Sequence, residues 1–454
     1  MAMKQHKIMG ANAHLSLAER DKQCIWHPFS QNKIDPMPLE IVRAQGSKLY
    51  DANGNSYYDL VSSWWTALHG HCHPYITQAI TEQAKTLDQV IFAKCTHPKA
   101  VELVERLLPL LPGEFTRGFY SICGSTAVEV GLKMAYQYWH NQDQTNRKRI
   151  LAFEGGYHGD TFGAMAVGRS TDFFEAYAPL LHPVSFIPFV ETWQHDENVD
   201  HKELTALAQL DEYLEQHGHE TAIFIYEPLL QGSSGMRICR PQFLEAVLKR
   251  LKQYDIVLIA DEILTGFGRT GTMFAGEQVS TAADIICLSK GLTSGSLPLA
   301  LTCCSDKIYR EFYSASWSKA LAHSHSFDAN PMACATACAS LDLFEQENTM
   351  VLINKLHKVH NESLKNIHLN SPGDFEKQRT IGNVGVLDLK VQDTDYTSDI
   401  KHEVAAKCLE AGMLLRPLGN SVYVMPPACI CLDELRQCYR DLEEILRVIR
   451  RSNL

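Results

Sequence analysis

The sequence predicts an α/β protein whose large domain is built on a mainly parallel sheet, and two observations carry this prediction. Between about residues 150 and 305, short apolar runs alternate with polar or helical stretches, as they do in βαβ units. The runs lack polar alternation, which is typical of strands that are covered on both faces. They are Ile150–Phe153, Ala222–Tyr226, Ile256–Ala260, Ile285–Leu288 and Leu297–Cys304.

The connections between these runs and the segment before them add further predicted elements. The periodicity predicts a helix over Arg240–Tyr254, whereas the polar stretches His140–Arg149 and Thr192–Lys202 are predicted to be surface loops. Before the runs, an Asn-Gly pair predicts the turn of a hairpin between Ser47–Tyr50 and Ser56–Leu60. This hairpin lies outside the central α/β region and favours a second, smaller unit.

The C-terminal flank completes that smaller unit. After Glu345, a long helix-like stretch leads to an αβ segment and then to an amphipathic helix. We therefore expect a large domain over residues 61–345 and a smaller α/β domain assembled from residues 1–60 and 346–454. The apolar positions of the last helix are predicted to be Leu435, Cys438, Leu442, Ile445 and Val448.

Composition and charge exclude several classes of protein. The chain has 454 residues, of which 45% are hydrophobic and 21% charged, as is usual for globular proteins. Its formal charge of −11 excludes a general electrostatic attraction to nucleic acid or to an anionic membrane. No apolar run is long enough to cross a bilayer, and the polar stretch Met1–Gln23 lacks the apolar region of a secretory signal. With its scattered cysteines, the chain is expected to be a reduced, cytoplasmic protein.

Three positions at the ends of predicted elements are candidates for chemistry. The segment Cys123-Gly124-Ser125-Thr126 precedes a helix whose first amides can bind a phosphate, and the alternative is a capping box between Thr126 and Glu129. Asp261 follows the third predicted strand, where an acid can also simply cap the next helix. Lys290 follows the fourth strand, where a desolvated lysine can form a Schiff base and an exposed one is merely solvated.

Taken together, these three signals match the needs of one cofactor, pyridoxal 5′-phosphate. The cofactor needs a lysine for a covalent imine, an acid that keeps its pyridine nitrogen protonated, and a site for its phosphate. Lys290, Asp261 and the Gly124-Ser125 helix start supply these three groups. The glycine-rich segment Gly155–Gly159 follows the first predicted strand, and its Tyr157 can lie against the cofactor ring. The sequence therefore predicts a pyridoxal-phosphate enzyme.

The motifs around these positions resemble the class III aminotransferases. They are Gly124-Ser125, Glu154–Gly159, Glu227-Pro228, Ala260–Arg269 and Ser289-Lys290-Gly291. The resemblance extends from about Trp26 to the C-terminus and implies a homodimer of fold type I with active sites at the subunit interface. It implies that Lys290 holds the cofactor, that Asp261 meets the pyridine nitrogen and that Tyr157 packs on the ring. The implied cofactor-binding set is Gly124, Ser125, Tyr157, Asp261, Lys290, His325 and Ser326.

Within the family, further segments resemble the branch that converts 8-amino-7-oxononanoate to 7,8-diaminononanoate in biotin biosynthesis, with S-adenosyl-L-methionine as amino donor. They are Trp26–Phe29, Ser63–Trp65, Val128–Trp139, Arg416–Gly419 and Tyr423–Pro427. By this resemblance the paired tryptophans line the substrate pocket, and the Arg416 guanidinium binds the substrate carboxylate. The implied substrate-binding set is Phe29, Trp64, Trp65, Tyr157, Lys290, Ser324, Arg416 and Tyr423.

Two positions depart from the family pattern. Ser326 stands where the family often has the threonine that reaches the neighbouring subunit's cofactor phosphate, so the hydroxyl is kept, while His325 is an unusual neighbour. Phe29 stands where many members have a tyrosine that contacts substrate. This second change leaves two amino donors open, S-adenosyl-L-methionine, which we favour, and lysine.

Three other functions are alternatives to this interpretation. One is a class III aminotransferase that acts on another ω-amino acid, which would share the cofactor site. Another is a metal-dependent hydrolase that uses the cluster His69-Gly70-His71-Cys72-His73, although metal sites usually need a distant second half. The last is a catalytically silent relative, which the presence of Lys290, Asp261 and Tyr157 disfavours.

Overall fold

A computed structural model describes residues 14–168, 172–371, 373–392, 394 and 398–452. The strands are β1 (Ile41–Gln45), β2 (Lys48–Asp51), β3 (Ser56–Asp59), β4 (Phe115–Ser121), β5 (Arg149–Phe153), β6 (Ser185–Ile187), β7 (Thr221–Tyr226), β8 (Leu230–Gln231), β9 (Arg237–Ile238), β10 (Val257–Asp261), β11 (Ile285–Leu288), β12 (Ala300–Ser305), β13 (Phe375–Ile381), β14 (Val384–Leu389), β15 (Met413–Leu414) and β16 (Ser421–Val424).

Helices occupy the segments between these strands. The α-helices are α1 (Leu17–Cys24), α2 (Ser62–Trp65), α3 (Pro74–Thr86), α4 (Pro98–Leu107), α5 (Gly124–Asn141), α6 (Phe162–Ala166), α7 (Val199–His217), α8 (Pro241–Gln253), α9 (Asp306–Arg310), α10 (Pro331–Gln346), α11 (Thr349–Asn370), α12 (Ile400–Glu410) and α13 (Leu432–Ser452). Short 3₁₀ helices lie at Leu108–Leu110, Asp172–Leu180, Gly218–Glu220, Ala275–Gln278, Lys290–Thr293 and Trp317–Lys319.

The largest sheet has seven strands in the order β4-β12-β11-β10-β7-β5-β6. β12 is antiparallel to both of its neighbours, whereas the pairs from β11 to β6 are parallel. The predicted α/β class with a mainly parallel sheet is therefore confirmed. Because β10, β11 and β7 run in the same direction, their carboxyl ends meet at one edge of the sheet, where a ligand site is expected.

Both faces of this sheet are buried. Ile223, Ile225 and Ile259 pack on one face against α5 through residues such as Val130. On the other face, alternate residues such as Phe224 pack against α4, α8 and α10. The central strands β7, β10 and β11 therefore carry apolar side chains at nearly every position, which explains the absence of polar alternation in the sequence.

The smaller sheets join distant parts of the chain. β1, β2 and β3 form a four-stranded sheet with β15, which pairs in parallel with β3. β13, β14 and β16 form an antiparallel sheet that α11 and α13 cover. Segments from the beginning and the end of the chain thus share one sheet, and the domain boundaries at 60/61 and 345/346 stay a prediction.

Several predicted element boundaries shift in the structure. β12 begins at Ala300 and not at Leu297, because Pro298 has no N–H for a ladder and the Leu297 carbonyl accepts from Thr293. β10 extends to Asp261, so this acid is the last residue of its strand. The predicted loop at 192–202 is partly helical, since α7 begins at Val199. The loop at 140–149 is confirmed for residues 142–148.

The terminal helix α13 shows one wrong prediction. Leu435, Cys438 and Leu442 are buried as expected, but Val448 is 61% exposed. At 100° per residue, a position thirteen residues after Leu435 lies on the opposite side of an α-helix. The buried face is continued instead by Leu446 and Ile449.

Candidate active site

A cleft of about 140 Å³ lies at the edge of the sheet where β10 and β11 end. Its lining brings together five of the residues predicted to bind the cofactor, which are Gly124, Ser125, Tyr157, Asp261 and Lys290. Trp65, one of the predicted substrate residues, lines the same cleft. The remaining lining residues are His158, Gly159, Glu227, Ile263 and Leu264.

Lys290 lies two residues beyond the end of β11, after Ser289, and its half-buried side chain lines the cleft. Its φ of 44° is in the left-handed region, which costs free energy for a residue with a Cβ and is found mostly where a site imposes it. Burial lowers the lysine pKa to about 8, although Asp261 and Glu227 oppose the shift. Near pH 8, about half of the amine is therefore unprotonated and nucleophilic, far more than in an exposed lysine. Its Nζ lies 4.6 Å from the centre of the Trp65 ring.

Asp261 ends β10 with its carboxylate in the cleft. Oδ1 accepts the Ile263 backbone N–H at 3.1 Å, and Oδ2 lies 2.6 Å from His158 Nδ1. Because the carboxylate accepts, Nδ1 of His158 carries the proton, and the pair fixes the orientation of both side chains. Both residues are buried. The sequence motif contained His158, but the sequence does not indicate this pairing because His158 and Asp261 are 103 residues apart.

Glu227 is a second buried carboxylate. It belongs to the Glu227-Pro228 motif, but the sequence alone did not indicate its role. Oε2 accepts the backbone N–H of Tyr157 at 3.0 Å, and Oε1 accepts that of Gly232 at 3.1 Å. Burial raises its pKa to about 7, while His158 and the two backbone donors oppose this shift. The side chain thus joins the loop that carries Tyr157 to the loop after β7. Its position directly after a strand was the signal that could have identified it.

The start of α5 is shaped for close approach of a ligand. Cys123 is the N-cap, and its N–H donates to Thr126 Oγ1 at 3.0 Å. The capping pair of Thr126 with Glu129 is therefore wrong, since Glu129 accepts from Thr161 Oγ1 and Gly163 N–H instead. The helix begins three residues earlier than that pairing requires, which places Gly124 and Ser125 in its first turn.

Two glycines keep this helix start open. A Cβ at Gly124 would lie 3.0 Å from the side chain of Ile263, and one at Gly159 would collide with Ser125 Oγ. Gly159 also has a φ of 125°, which side chains rarely adopt. The open first turn, the buried amine and the buried carboxylate are the features that pyridoxal phosphate requires, so the residues of the cleft fit this cofactor.

Beyond the residues that line the cleft, Trp64 and Trp65 form an outer cluster with Phe29, Arg416 and Tyr423. The Trp65 indole N–H donates to the Tyr423 hydroxyl at 2.9 Å. The Trp64 ring lies 4.6 Å from the guanidinium carbon of Arg416 and 6.1 Å from the Phe29 ring. The structure thus places Trp65 beside Tyr423, and its chain neighbour Trp64 beside Arg416 and Phe29. These contacts combine apolar area with a planar cation, as recognition of a chain with a terminal carboxylate requires.

The turn that carries the tryptophans is fixed by hydrogen bonds from Arg269, a residue to which the sequence analysis assigned no role. Ser62, Ser63 and Trp65 have φ of 49°, 60° and 66°, so this turn is strained. The buried Arg269 donates to Ser62 Oγ and to the Trp65 carbonyl, both at 3.3 Å. Burial lowers the pKa of Arg269 to about 10. The family motif contained this arginine, but only the fold shows what it contacts.

The segment that contains Ser324, His325 and Ser326 is separate from the cleft lining. Ser324 and Ser326 are exposed, and the Ser326 carbonyl accepts from the Gln89 side chain at 2.9 Å. His325 Nε2 lies 2.9 Å from His323 Nε2. These three predicted site residues therefore do not join the others within the described cleft of one chain.

The histidines of the 69–73 segment have separate partners. The buried His69 is 3.1 Å from the Ser340 carbonyl, and burial lowers its pKa to about 3. His71 pairs with Asp59 at 2.7 Å. Across residues 14–168, 172–371, 373–392, 394 and 398–452, no three metal-ligating side chains converge. The same described segments contain no helix with the length and apolar character needed to span a bilayer.

Comparisons with known proteins identify the family to which this chain is similar. The profile of the family "Aminotransferase class-III" matches residues 29–446. An adenosylmethionine-8-amino-7-oxononanoate aminotransferase of Synechococcus elongatus is 44% identical over 93% of this chain and 98% of its own length. One of Helicobacter pylori is 37% identical over 97% of this chain and 100% of its own. The crystal structure of the Methanocaldococcus jannaschii enzyme of that name is 34% identical, with a TM-score of 0.88 over 95% of this chain and 98% of the other.

Proposed function

The chain belongs to the class III aminotransferase family, and on this premise we propose that it transfers an amino group to 8-amino-7-oxononanoate, giving 7,8-diaminononanoate in biotin biosynthesis. It is a pyridoxal-phosphate-dependent aminotransferase with the fold type I architecture. The observation that carries the proposed substrate is a series of contacts: Lys290 lies against Trp65 in the cleft, and the adjacent Trp64 lies against Arg416. Relatives at 34–44% identity that bear the name of this reaction support it.

Lys290 is the proposed catalytic base and acid. When bound, pyridoxal phosphate withdraws electrons from the amine-bearing carbon of the substrate, which makes the hydrogen on that carbon acidic. Lys290 would hold the cofactor through Nζ. Once displaced by the substrate amine, its free amine would take this proton and would pass it to the cofactor carbon that it had held. Its burial supports this role, because a pKa of about 8 keeps the amine ready to accept and release a proton near neutral pH.

Asp261 is proposed to bind the pyridine nitrogen, and Tyr157 to pack on the ring. The backbone N–H of Ile263 and the His158 ring hold the Asp261 carboxylate at fixed distances, so it can stabilise a buried positive charge without reorganising. The open start of α5 at Gly124 and Ser125 would hold the phosphate. Glu227 would position Tyr157 through the backbone hydrogen bond already described.

The outer cluster is proposed to bind the acceptor. The carboxylate of 8-amino-7-oxononanoate would pair with Arg416, because a guanidinium can bind both carboxylate oxygens at once. Its long methylene chain would lie on Trp64 and Trp65, with Tyr423 fixing the Trp65 ring through the indole N–H. The two ends of the cleft would thus bind the two ends of one extended molecule.

The amino donor is proposed to be S-adenosyl-L-methionine. Its sulfonium would be attracted to the faces of the aromatic rings, which carry partial negative charge. Phe29 supports lysine as the competing donor, since the phenyl ring beside Trp64 offers no hydroxyl to a donor's polar groups. Both donors would occupy the cleft that the acceptor uses in the other half of the reaction.

We further propose a homodimer with shared active sites and a cytoplasmic location. Ser324, His325 and Ser326 lie outside the described cleft of their own chain, which supports a role in the cleft of a second copy. The fourteen cysteines are all free thiols, which supports a reducing compartment. The charge of −11 supports small-molecule substrates without nucleic acid or membrane as partners.

Single-turnover spectroscopy of the two cofactor forms tests this function. The pyridoxal form is mixed with S-adenosyl-L-methionine, lysine, ornithine or 4-aminobutyrate, and its conversion to the pyridoxamine form is followed. The pyridoxamine form is then mixed with 8-amino-7-oxononanoate or with 2-oxoglutarate. We expect conversion by S-adenosyl-L-methionine and reversal by 8-amino-7-oxononanoate. Efficient cycling with ornithine or 4-aminobutyrate and 2-oxoglutarate would instead identify a different class III aminotransferase.

A further inference from the structure

Three side chains form a hydrogen-bonded chain outside the described cleft. Lys133, on α5, has its Nζ 3.1 Å from Nδ1 of His323. Nε2 of His323 lies 2.9 Å from Nε2 of His325, and the two ring centres are 4.7 Å apart at 76°. The chain therefore leads from a lysine on the helix that begins at Gly124 to the residue directly before Ser326.

Only one direction of proton donation satisfies this chain. The Lys133 ammonium can only donate, so Nδ1 of His323 is an acceptor. Neutral His323 then carries its proton on Nε2 and donates it to Nε2 of His325. His325 consequently carries its own proton on Nδ1. Protonation of either ring would place two N–H groups, or an N–H and an ammonium, against each other and break the chain.

The surroundings of the chain favour this neutral, directed form. Burial lowers the pKa of His323, and the Lys133 charge lowers it further, against opposing effects of Asp328 and Glu129. The His325 backbone N–H donates to Asp328 Oδ2 at 2.8 Å, which fixes the loop beneath the ring. Within the described residues, Nδ1 of His325 has no hydrogen-bond partner. The chain thus ends in an oriented N–H donor without an acceptor of its own.

The cleft lacks the groups that such a donor would supply. Among its described lining residues, Lys290 is the one cationic side chain, while Asp261 and Glu227 are acids. A phosphate monoester at the start of α5 would therefore be bound by amides and the Ser125 hydroxyl alone, in a cleft with two carboxylates nearby. A dianion in such surroundings needs further donors.

We propose that the Lys133–His323–His325 chain presents the Nδ1–H of His325, beside the Ser326 hydroxyl, to the phosphate of the cofactor held by a second copy of this chain. The inference rests on the proposed function and extends it, because it makes His323 and Lys133 positioning residues for a phosphate contact. Lys133 fixes which ring nitrogen of His323 is protonated, and His323 does the same for His325. The two residues thus act on the phosphate of the other subunit without touching it.

Binding of pyridoxamine phosphate and of pyridoxamine to the cofactor-free protein tests the contact. Asparagine places an amide N–H near the position of histidine Nδ1, so His325→Asn keeps the proposed donor and His325→Ala removes it. We expect His325→Ala to raise the Kd for pyridoxamine phosphate about tenfold or more, and His325→Asn to restore most of the affinity. Neither variant should change the Kd for pyridoxamine, which lacks the phosphate.

Equal binding of pyridoxamine phosphate by wild type and His325→Ala would overturn this inference and leave the proposed function standing. A wild-type protein that binds neither compound would contradict the proposed function as well. The effect of Lys133 on the two histidines, here called the relay, is tested by Lys133→Met. Lys148→Met is the matched control, because Lys133 and Lys148 line one surface groove but Lys148 is not part of the hydrogen-bonded chain. We expect Lys133→Met alone to weaken phosphate-dependent binding and to abolish the Nδ1–H tautomer of His325 in ¹⁵N spectra. Unchanged tautomers in Lys133→Met would refute the relay.

Discussion

The inner and outer ends of the cleft differ in burial and therefore in how they use charge. At the inner end, Asp261 and Glu227 are buried and Lys290 is half-buried, and their interactions act in a medium of low dielectric constant. At the outer end, Trp64 is 40% exposed and Phe29 is 50% exposed, and Arg416 is half-buried. Charge–charge interactions there are weakened by water. Under the proposed function, the inner end would decide whether the reaction runs, and the outer end would decide which molecule reacts.

Replacing Lys290 tests the inner end most severely. Lys290→Ala removes the buried amine that is proposed to hold the cofactor and to move the proton. We expect transamination to fall by at least about 10²–10⁴-fold, the usual contribution of a general acid or base. Borohydride reduction of the wild-type holoenzyme, followed by peptide mapping, should place the modified lysine at position 290. A label on another lysine would refute the assignment.

Asp261 and Glu262 are adjacent acids, and replacing each one separates effects on catalysis from effects on the stability of the fold. Asp261 faces the cleft, whereas Glu262 is buried behind it, where it accepts from Ala275 N–H, Gly276 N–H and Thr265 Oγ1. We expect Asp261→Asn to reduce kcat about 10²–10³-fold, as loss of a preorganised electrostatic group does, with little change in Tm.

Glu262→Gln is the matched control. Its amide NH₂ would face the N–H and O–H donors that the carboxylate accepts, so we expect the free energy of unfolding to fall by about 1–3 kcal/mol. The rate constant of the remaining folded enzyme should stay close to wild type. If the two variants had the same effect on kcat, the distinction between cleft and scaffold would be wrong.

Replacing the guanidinium of Arg416, which presents two parallel N–H donors, tests the outer end. Arg416→Lys keeps the charge but loses the planar pair of donors, and it also loses the stacking against Trp64. We expect KM for 8-amino-7-oxononanoate to rise about 10–100-fold, the effect of losing a hydrogen bond to a charged group. The first-order rate of the bound complex should change much less, since Arg416 is proposed to bind the carboxylate and to take no part in the proton transfer at Lys290. A fall confined to kcat would show that this arginine acts on the chemistry itself.

The sequence was sufficient for residues whose roles depend on local position. Lys290 and Asp261 could be predicted because each lies at the carboxyl end of an apolar strand, and parallel strands bring such ends together. The start of α5 was found from its Gly-Ser helix-start pattern, whereas the alternative capping pair was wrong by one helical turn.

The residues that could not be assigned act through contacts between distant segments. His158 meets Asp261, and Arg269 holds the turn before Trp65, only because the chain folds. The chain from Lys133 to His325 likewise joins residues that are far apart in sequence. Periodicity reports which face of an element is buried but carries no information on which residue of another element it meets.

The smallest effect is expected at Phe29, and it sharpens the distinction between the two ends. Its ring is half exposed and contacts Trp64, so a hydroxyl added by Phe29→Tyr meets water as well as substrate. One exposed hydrogen bond contributes about 0.5–1.5 kcal/mol, so kcat/KM for a donor that uses the hydroxyl should change by about 2–10-fold. Half-reactions measured separately with S-adenosyl-L-methionine and lysine will show which donor gains.

The 8-amino-7-oxononanoate half-reaction is the control for Phe29→Tyr, because its carboxylate is proposed to bind at Arg416 and its chain at Trp64 and Trp65. A gain for S-adenosyl-L-methionine alone would indicate that Phe29 costs the wild-type enzyme part of its affinity for this donor. A loss for lysine with no change for S-adenosyl-L-methionine would favour lysine as the natural donor. An equal change in all three half-reactions would contradict the assignment of Phe29 to donor selectivity, because it would show that the added hydroxyl alters the shared cleft and not one substrate's binding.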